Sequence, residues 1–245
     1  MRYSVKLSYR GADFCGWQVQ PNAPSVQGTL EKALSTLLRT QISVVGAGRT
    51  DTGVNAVGYI AHFDAAESFD TGQMRYKLNA ILPDSIAVHD IREVSENFHA
   101  RFSATKREYT YFLHRVKDPF VDNFSFFYGY PDVDFESMNR AASLLLGQHD
   151  FSCFEKTGGD NKTSICTIYE AAWHKKDEDH WYFVVAADRF LRNMVRAIVG
   201  TLLEVGRGKR TPESVLDLIG QGDRCAAGES VPGHALFLTN IEYRD

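Results

Sequence analysis

Cysteine is sparse in this chain. Cys15, Cys153, Cys166 and Cys225 lie far apart with no paired spacing, which argues against a disulfide framework or a cysteine zinc site and leaves free structural thiols. Long hydrophobic runs are also missing, since no apolar stretch approaches the roughly 20 residues that a bilayer helix requires. Met1-Arg2-Tyr3-Ser4 opens directly into a strand pattern, not a signal peptide, so a soluble, cytoplasmic protein without a membrane anchor is expected. The eight histidines are scattered without ligand spacing, and no metal site is expected. Overall positive charge is lacking too. A formal net charge of -4 speaks against a surface that is basic all over, but nucleic-acid binding depends on local clusters and not on the total.

What is present is a hydrophobic fraction of 44% in 245 residues, enough for the packed cores of one large or two small domains. Tyr3, Val5, Leu7 and Tyr9 alternate with polar residues, the period of a half-buried strand. Ser25 caps a predicted helix whose stripe is Val26, Leu30, Ala33, Leu34, Leu37 and Leu38. Strands are predicted over 42–45 and 57–63. A helix carrying Met74, Leu78, Ile81 and Leu82 follows and is stopped by Pro83, and then comes a strand over 86–94. The second half repeats this order. It has a strand over 106–116 and a helix from Asp134 through Met138, Ala141, Ala142, Leu145 and Leu146 to Gly147, then a hairpin of 165–174 with 181–187. A helix through Met194, Val195, Ile198, Leu202 and Leu203 stops at Gly206. A short helix runs from Thr211-Pro212 to Gly220, and a strand covers 235–243.

Each half therefore reads strand, helix, strand, strand, helix, strand. That is the ferredoxin-like split βαβ order, giving an α+β fold of two βαββαβ halves, each with an antiparallel sheet. The expected domains are 1–98 and 99–245. A cleft between two such sheets is a favoured place for a ligand.

Between the strands of the first half lies Gly48-Arg49-Thr50-Asp51-Thr52-Gly53-Val54-Asn55-Ala56, one carboxylate in a glycine-bounded loop. Gly48 and Gly53 allow backbone angles closed to other residues, and loops on rigid scaffolds often carry function. Asp51 is the candidate catalytic residue, with Arg49 supplying a nearby positive charge; the competing assignment is a turn-forming aspartate beside glycine. Basic clusters in the second half include Lys106-Arg107, Arg189 with Arg192 and Arg196, and Arg207-Gly208-Lys209-Arg210. Any one of them alone reads as a solvated face.

Further short segments complete a pattern: Tyr9-Arg10-Gly11, Phe14 with Gly16-Trp17-Gln18, Ser25-Val26-Gln27, Leu82-Pro83, Phe98 through Ala104 followed by Arg107 and Tyr109, Met194-Val195-Arg196, Gly206-Arg207-Gly208-Lys209, and Leu236. Each is weak singly. In this order, and with the Asp51 loop, they resemble the tRNA pseudouridine synthase family of the TruA type almost from end to end. The chain departs from that pattern at Thr52, Asn55 and Ala235, where the family commonly has alanine, histidine and glycine.

The resemblance implies isomerisation of uridine to pseudouridine in the anticodon arm of tRNA, around positions 38 to 40, by a homodimer that needs no cofactor. Asp51 would be the nucleophile, which divides one hard step into two through a covalent intermediate. Arg196, with Arg49 as the other candidate, would keep Asp51 ionised against desolvation. Tyr109 would stack on the uracil, because an enzyme acting on a base takes it out of the helical stack. Leu236 would wall the pocket, and Arg10, Lys106, Arg107, Arg207, Lys209 and Arg210 would hold RNA. Two other classes compete. Asp51-Thr52-Gly53 is also the tripeptide of aspartic proteases, whose chemistry needs a second carboxylate. A ferredoxin-like sheet with exposed aromatics also serves non-catalytic RNA-binding proteins.

Overall fold

The structure is a computed structural model that describes residues 1–156, 158 and 162–244. The chain forms two compact units, Met1–Thr105 with Phe237–Asp245, and Lys106–Leu236.

The first unit begins with β1 (Arg2–Tyr9), in which Tyr3, Val5, Leu7 and Tyr9 are buried as the alternation predicts. Helix α1 (Val26–Leu38) follows. Ser25 Oγ accepts from the Gly28 amide, while the Val26 and Gln27 amides are taken by the carbonyls of Gly16 and Trp17. The donors at this helix start thus find partners within the preceding segment. Leu30 and Leu34 are fully buried, a burial that contributes roughly 1.5–3 kcal/mol each. Leu37 and Leu38 are only partly covered. The helix ends at Arg39, whose φ of 55° puts it in the left-handed region usually taken by glycine or asparagine.

Strand β2 (Val44–Gly46) is shorter than expected and displaced toward the loop. Strand β3 (Asn55–Asp64), helix α2 (Thr71–Ile81, capped by Asp70) and strand β4 (Ile86–Val94) complete the half. The order is β4-β1-β3 with β2 also on β3, all antiparallel. Helix α1 is tied to β2 by Gln27 Nε2, which donates to the Val44 carbonyl at 3.0 Å, and by Glu31 Oε1, which accepts from the Val44 amide at 2.9 Å.

The second unit holds most of β5 (Ala104–His114), then β6 (Phe126–Phe127), helix α3 (Phe135–Ser143), β7 (Gly147–Asp150), the hairpin β8 (Ile165–Lys175) with β9 (His180–Ala187), helix α4 (Met194–Gly206) and helix α5 (Ser214–Gln221). The order is β5-β9-β8-β7, with β6 parallel to β5. The two short strands β6 and β7 carry no alternation long enough to announce them. Asp134 caps α3 by accepting from the Ser137 amide. Helix α5 starts two residues after Pro212, and Gly222, not Gly220, takes the left-handed cap at φ 67°.

Strand β10 (Leu236–Tyr243) then returns to the first unit and pairs with β3 in parallel, Phe237 with Asn55 and Leu238 with Ala56. An all-antiparallel sheet was expected, and a contiguous second domain over 99–245. Two features draw β10 to the first unit. Gly58 admits the Thr239 carbonyl where a Cβ would lie 2.7 Å away, and the Tyr243 hydroxyl donates to the Ala100 carbonyl at 2.8 Å.

Cys153 and Cys166 are buried free thiols, both pushed up to about 12 by burial, which keeps them protonated. No described helix is long and apolar enough to cross a membrane.

Candidate active site

The Asp51 loop joins β2 to β3 and is fixed mainly through its own backbone. The Thr50 carbonyl accepts from the Trp17 amide at 3.2 Å, and the Thr50 hydroxyl shares a hydrogen bond with Tyr9 Oη at 2.9 Å. The Asp51 carbonyl accepts from Val54 N at 3.1 Å, closing a turn in which Gly53 has φ 79°. Asn55, buried, presents Oδ1 to the Gly11 amide at 2.8 Å. The Tyr59 hydroxyl donates to the Gly48 carbonyl.

Two glycines let the preceding chain come this close. A Cβ on Gly11 would sit 2.2 Å from the Val54 carbonyl oxygen. One on Gly16, whose φ is 93°, would sit 2.4 Å from that of Thr50. Gly53 needs its freedom, as expected. Gly48 does not: it has open space around its Cβ position and no positive φ. The anchored Thr50 is buried, whereas Asp51 is half-exposed and Arg49 exposed. A carboxylate on an immobilised loop with a solvent-reachable side chain suits nucleophilic chemistry, because positioning is done before substrate arrives.

Arg49 also lines a cavity with Trp17, Gln18, Gln27 and Arg101. Arg101 was not singled out from sequence as a binding residue. It sits in the Phe98–Ala104 segment, which folds as a tight turn: His99 Nδ1 accepts from the amides of Arg101 and Phe102, both at 3.2 Å, and Ser103 N donates to the His99 carbonyl. Behind that turn, His62 Nδ1 accepts from Ala100 N at 3.1 Å. Burial, helped by the nearby Arg2 charge, pushes His62 down to about 4.

In the second unit, Tyr109 is half-buried on β5 and meets Phe190 edge to face, ring centroids 5.1 Å apart. Arg196, in the first turn of α4, donates from Nε to the Val231 carbonyl at 2.7 Å, and Val231 N returns a bond to the Arg196 carbonyl. The Tyr111 hydroxyl donates to Pro232 O at 3.2 Å; burial pushes this phenol well up, against the pull of the Arg196 charge. Arg196 is therefore bound to the segment leading into Leu236, which is itself buried at the start of β10.

The proposed RNA contacts are already engaged to different degrees. Arg10 forms an exposed ion pair with Asp13 at 2.8 Å. Arg107 donates to the Asp188 carbonyl at 2.8 Å, and Lys106 is half-buried on β5. Arg207 lies over the Tyr130 ring at 3.6 Å, and Arg210 pairs with Glu204 and donates to the Ala226 carbonyl. Lys209 is exposed beside them, on a cavity lined also by Asp134, Ser137, Thr211 and Pro212. Among the described residues no group of three or more His, Cys, Asp or Glu side chains is placed to hold a metal ion.

A family profile described as tRNA pseudouridine synthase matches residues 7–103 and 141–244, a span that includes the whole Asp51 loop, Arg196 and Leu236. The chain belongs to the tRNA pseudouridine synthase family. It is 51% identical to the tRNA pseudouridine synthase A of Bacteroides thetaiotaomicron over 99% of this chain and 90% of that one. It is 49% identical to that of Bacteroides fragilis and 50% identical to that of Parabacteroides distasonis, in both cases over 99% of this chain and 96% of the relative.

Proposed function

We propose that this protein converts uridine to pseudouridine in the anticodon arm of tRNA, around positions 38 to 40, with Asp51 as the nucleophile. Family membership makes the chain an isomerase of uridine in tRNA; the anticodon arm and the role of Asp51 are the further reading. The observation that carries it is the Asp51 loop, whose backbone is held at Gly48, Thr50, Asp51 and Val54 while Asp51 as a residue stays half-exposed. Such rigidity is more than a turn-forming aspartate needs.

The reaction breaks the bond from ribose to the uracil nitrogen and forms one to carbon within a single molecule, so atoms balance without a co-substrate. It needs a nucleophile, a surface that retains the detached ring, and exclusion of water. Asp51 supplies the first. Tyr109 supplies an aromatic face for a base taken out of its stack, Leu236 an apolar wall, and Arg196 with Arg49 the positive charge that keeps the carboxylate ionised. Lys209, together with Arg10, Lys106, Arg107, Arg207 and Arg210, holds phosphates, and the protein acts as a homodimer in the cytoplasm.

The test is incubation of the purified protein with unmodified tRNA transcripts, followed by mapping of pseudouridine at single-nucleotide resolution. Signal at one or more of positions 38 to 40 is expected. Signal confined to another arm contradicts the anticodon assignment.

A further inference from the structure

Tyr59 on β3 is fully buried, and its ring stacks on Trp17 with centroids 4.1 Å apart and planes 28° from parallel. Tyr9, also buried, approaches the Tyr59 ring edge-on at 5.5 Å. For packing alone, phenylalanine would fill both places with no hydroxyl to satisfy. Instead each hydroxyl leaves the cluster for the Asp51 loop. Tyr59 Oη donates to the Gly48 carbonyl and lies 3.4 Å from the Gly48 amide, while Tyr9 Oη meets Thr50 Oγ1. The loop is thus gripped on both sides of Arg49. A second feature shows that the reach of Tyr59 is accommodated by the chain: at Gly46 a Cβ would lie 2.2 Å from Tyr59 Oη and 2.5 Å from Trp17 Cε2. The strand entering the loop carries glycine where that hydroxyl passes.

We infer that Tyr59 is a positioning residue for the reaction, its buried hydroxyl setting where the loop carries Arg49 and Asp51, with Tyr9 as the second arm of the same clamp. This rests on Asp51 being the nucleophile. Neither tyrosine needs to touch RNA. Their hydroxyls act through the loop backbone and the Thr50 side chain, so the expected signature is a slower chemical step with substrate binding intact.

The test compares Tyr59→Phe, Tyr9→Phe and the double variant with wild type in three measurements: single-turnover pseudouridine formation at saturating enzyme, equilibrium affinity for a tRNA transcript, and the thermal midpoint. Asp51→Asn is run beside them. Tyr59→Phe keeps the ring and its stack, and should slow the single-turnover rate roughly tenfold while affinity stays within about twofold. Tyr9→Phe should act in the same direction and the double variant further. A merely structural role would lower the midpoint and leave the rate per folded enzyme unchanged. A Tyr59→Phe rate within about twofold of wild type overturns the inference, as does a rate loss matched by an equal loss of affinity. If Asp51→Asn is inactive while both tyrosine variants are normal, only the positioning role fails. If Asp51→Asn remains active, the nucleophile assignment beneath it fails as well.

Discussion

Two segments without regular secondary structure bear on the functional candidates, one carrying Asp51 and the other bound to Arg196, and they are held in different ways. The Asp51 loop is fixed through its main chain, by the amides of Trp17 and Val54, the Tyr59 hydroxyl and the close approach of Gly11 and Gly16. The segment from Gly228 to Pro232 is held chiefly by side chains: Arg196 Nε at the Val231 carbonyl, Tyr111 at Pro232 O, Asn193 at the Ser230 hydroxyl, and Arg224 at both Gly228 O and Ser230 Oγ. Gly200 and Gly228 repeat the glycine device there, since a Cβ on Gly200 would fall 1.8 Å from the Glu229 carbonyl oxygen and one on Gly228 2.7 Å from the Thr201 nitrogen. In the first case these anchors fall on the backbone around Asp51. In the second, the candidate Arg196 is itself an anchor, so substituting it disturbs structure and chemistry together.

Substitutions that break this contrast rank by expected effect. Asp51→Asn should lower the chemical rate by several orders of magnitude with little change in stability, because asparagine suits the same turn. Gly16→Ala comes next. It forces a Cβ onto the Thr50 carbonyl at a backbone angle alanine resists, and a loop displaced by about 1 Å should lose roughly a hundredfold in single-turnover rate. Arg196→Lys keeps the charge and loses the planar fork, so a loss of at least about tenfold in rate is expected together with a lower thermal midpoint. The two readouts separate the functional part from the anchor at Val231: a normal rate with a lowered midpoint would leave Arg196 only its structural role.

A smaller effect concerns stability against pH in the first unit. His62 is held neutral, its value down to about 4 from an ordinary value near 6.5. Below about pH 6.5 the unfolded chain takes up a proton that the folded chain refuses, so this contribution is fully present above that pH. It is lost as pH falls toward 4. The expected loss is on the order of 2–3 kcal/mol, readable as a fall in the urea midpoint between pH 6.5 and 4. A His62→Gln variant should show a flatter profile over that window. The smallest effect is at Lys209. Arg207 and Arg210 are occupied by Tyr130 and Glu204, so Lys209→Ala is the cleaner probe of phosphate contact. It should reduce the slope of log affinity against log salt by about 0.7–0.9 and leave the rate alone; an unchanged slope removes Lys209 from the RNA surface.

Much of the fold was legible because long elements advertise themselves. The alternation of Tyr3 to Tyr9, the Ser25 and Asp134 caps and the β8–β9 hairpin emerged as read. Strands β6 and β7, of two and four residues, are set by tertiary pairing and leave too short a pattern to see. The parallel pairing of β10 with β3 was illegible for a related reason: the space it uses is made by Gly58, distant in sequence. The Asp51 loop was visible from its glycines and carboxylate, although Gly48 proved dispensable conformationally and the work falls to Gly53, Gly16 and Gly11. What held the loop was not visible. Tyr9 stood out only in the strand alternation and in Tyr9-Arg10-Gly11, and Tyr59 not at all within the strand over 57–63, because nothing in a period of two distinguishes a tyrosine that fills a core from one whose hydroxyl passes through it. Arg101 belongs to the Phe98–Ala104 segment, but its place beside Arg49 depends on a turn built around His99 Nδ1.

Single-turnover pseudouridine formation by Asp51→Asn, at saturating enzyme and with equilibrium tRNA binding measured on the same preparation, bears most directly on the central claim. The expected result is a rate at least about a thousandfold below wild type with affinity within about twofold, the pattern of an interaction made only in the transition state. A variant that keeps a tenth of the wild-type rate, a barrier change of about 1.4 kcal/mol, would contradict the assignment of Asp51 as nucleophile.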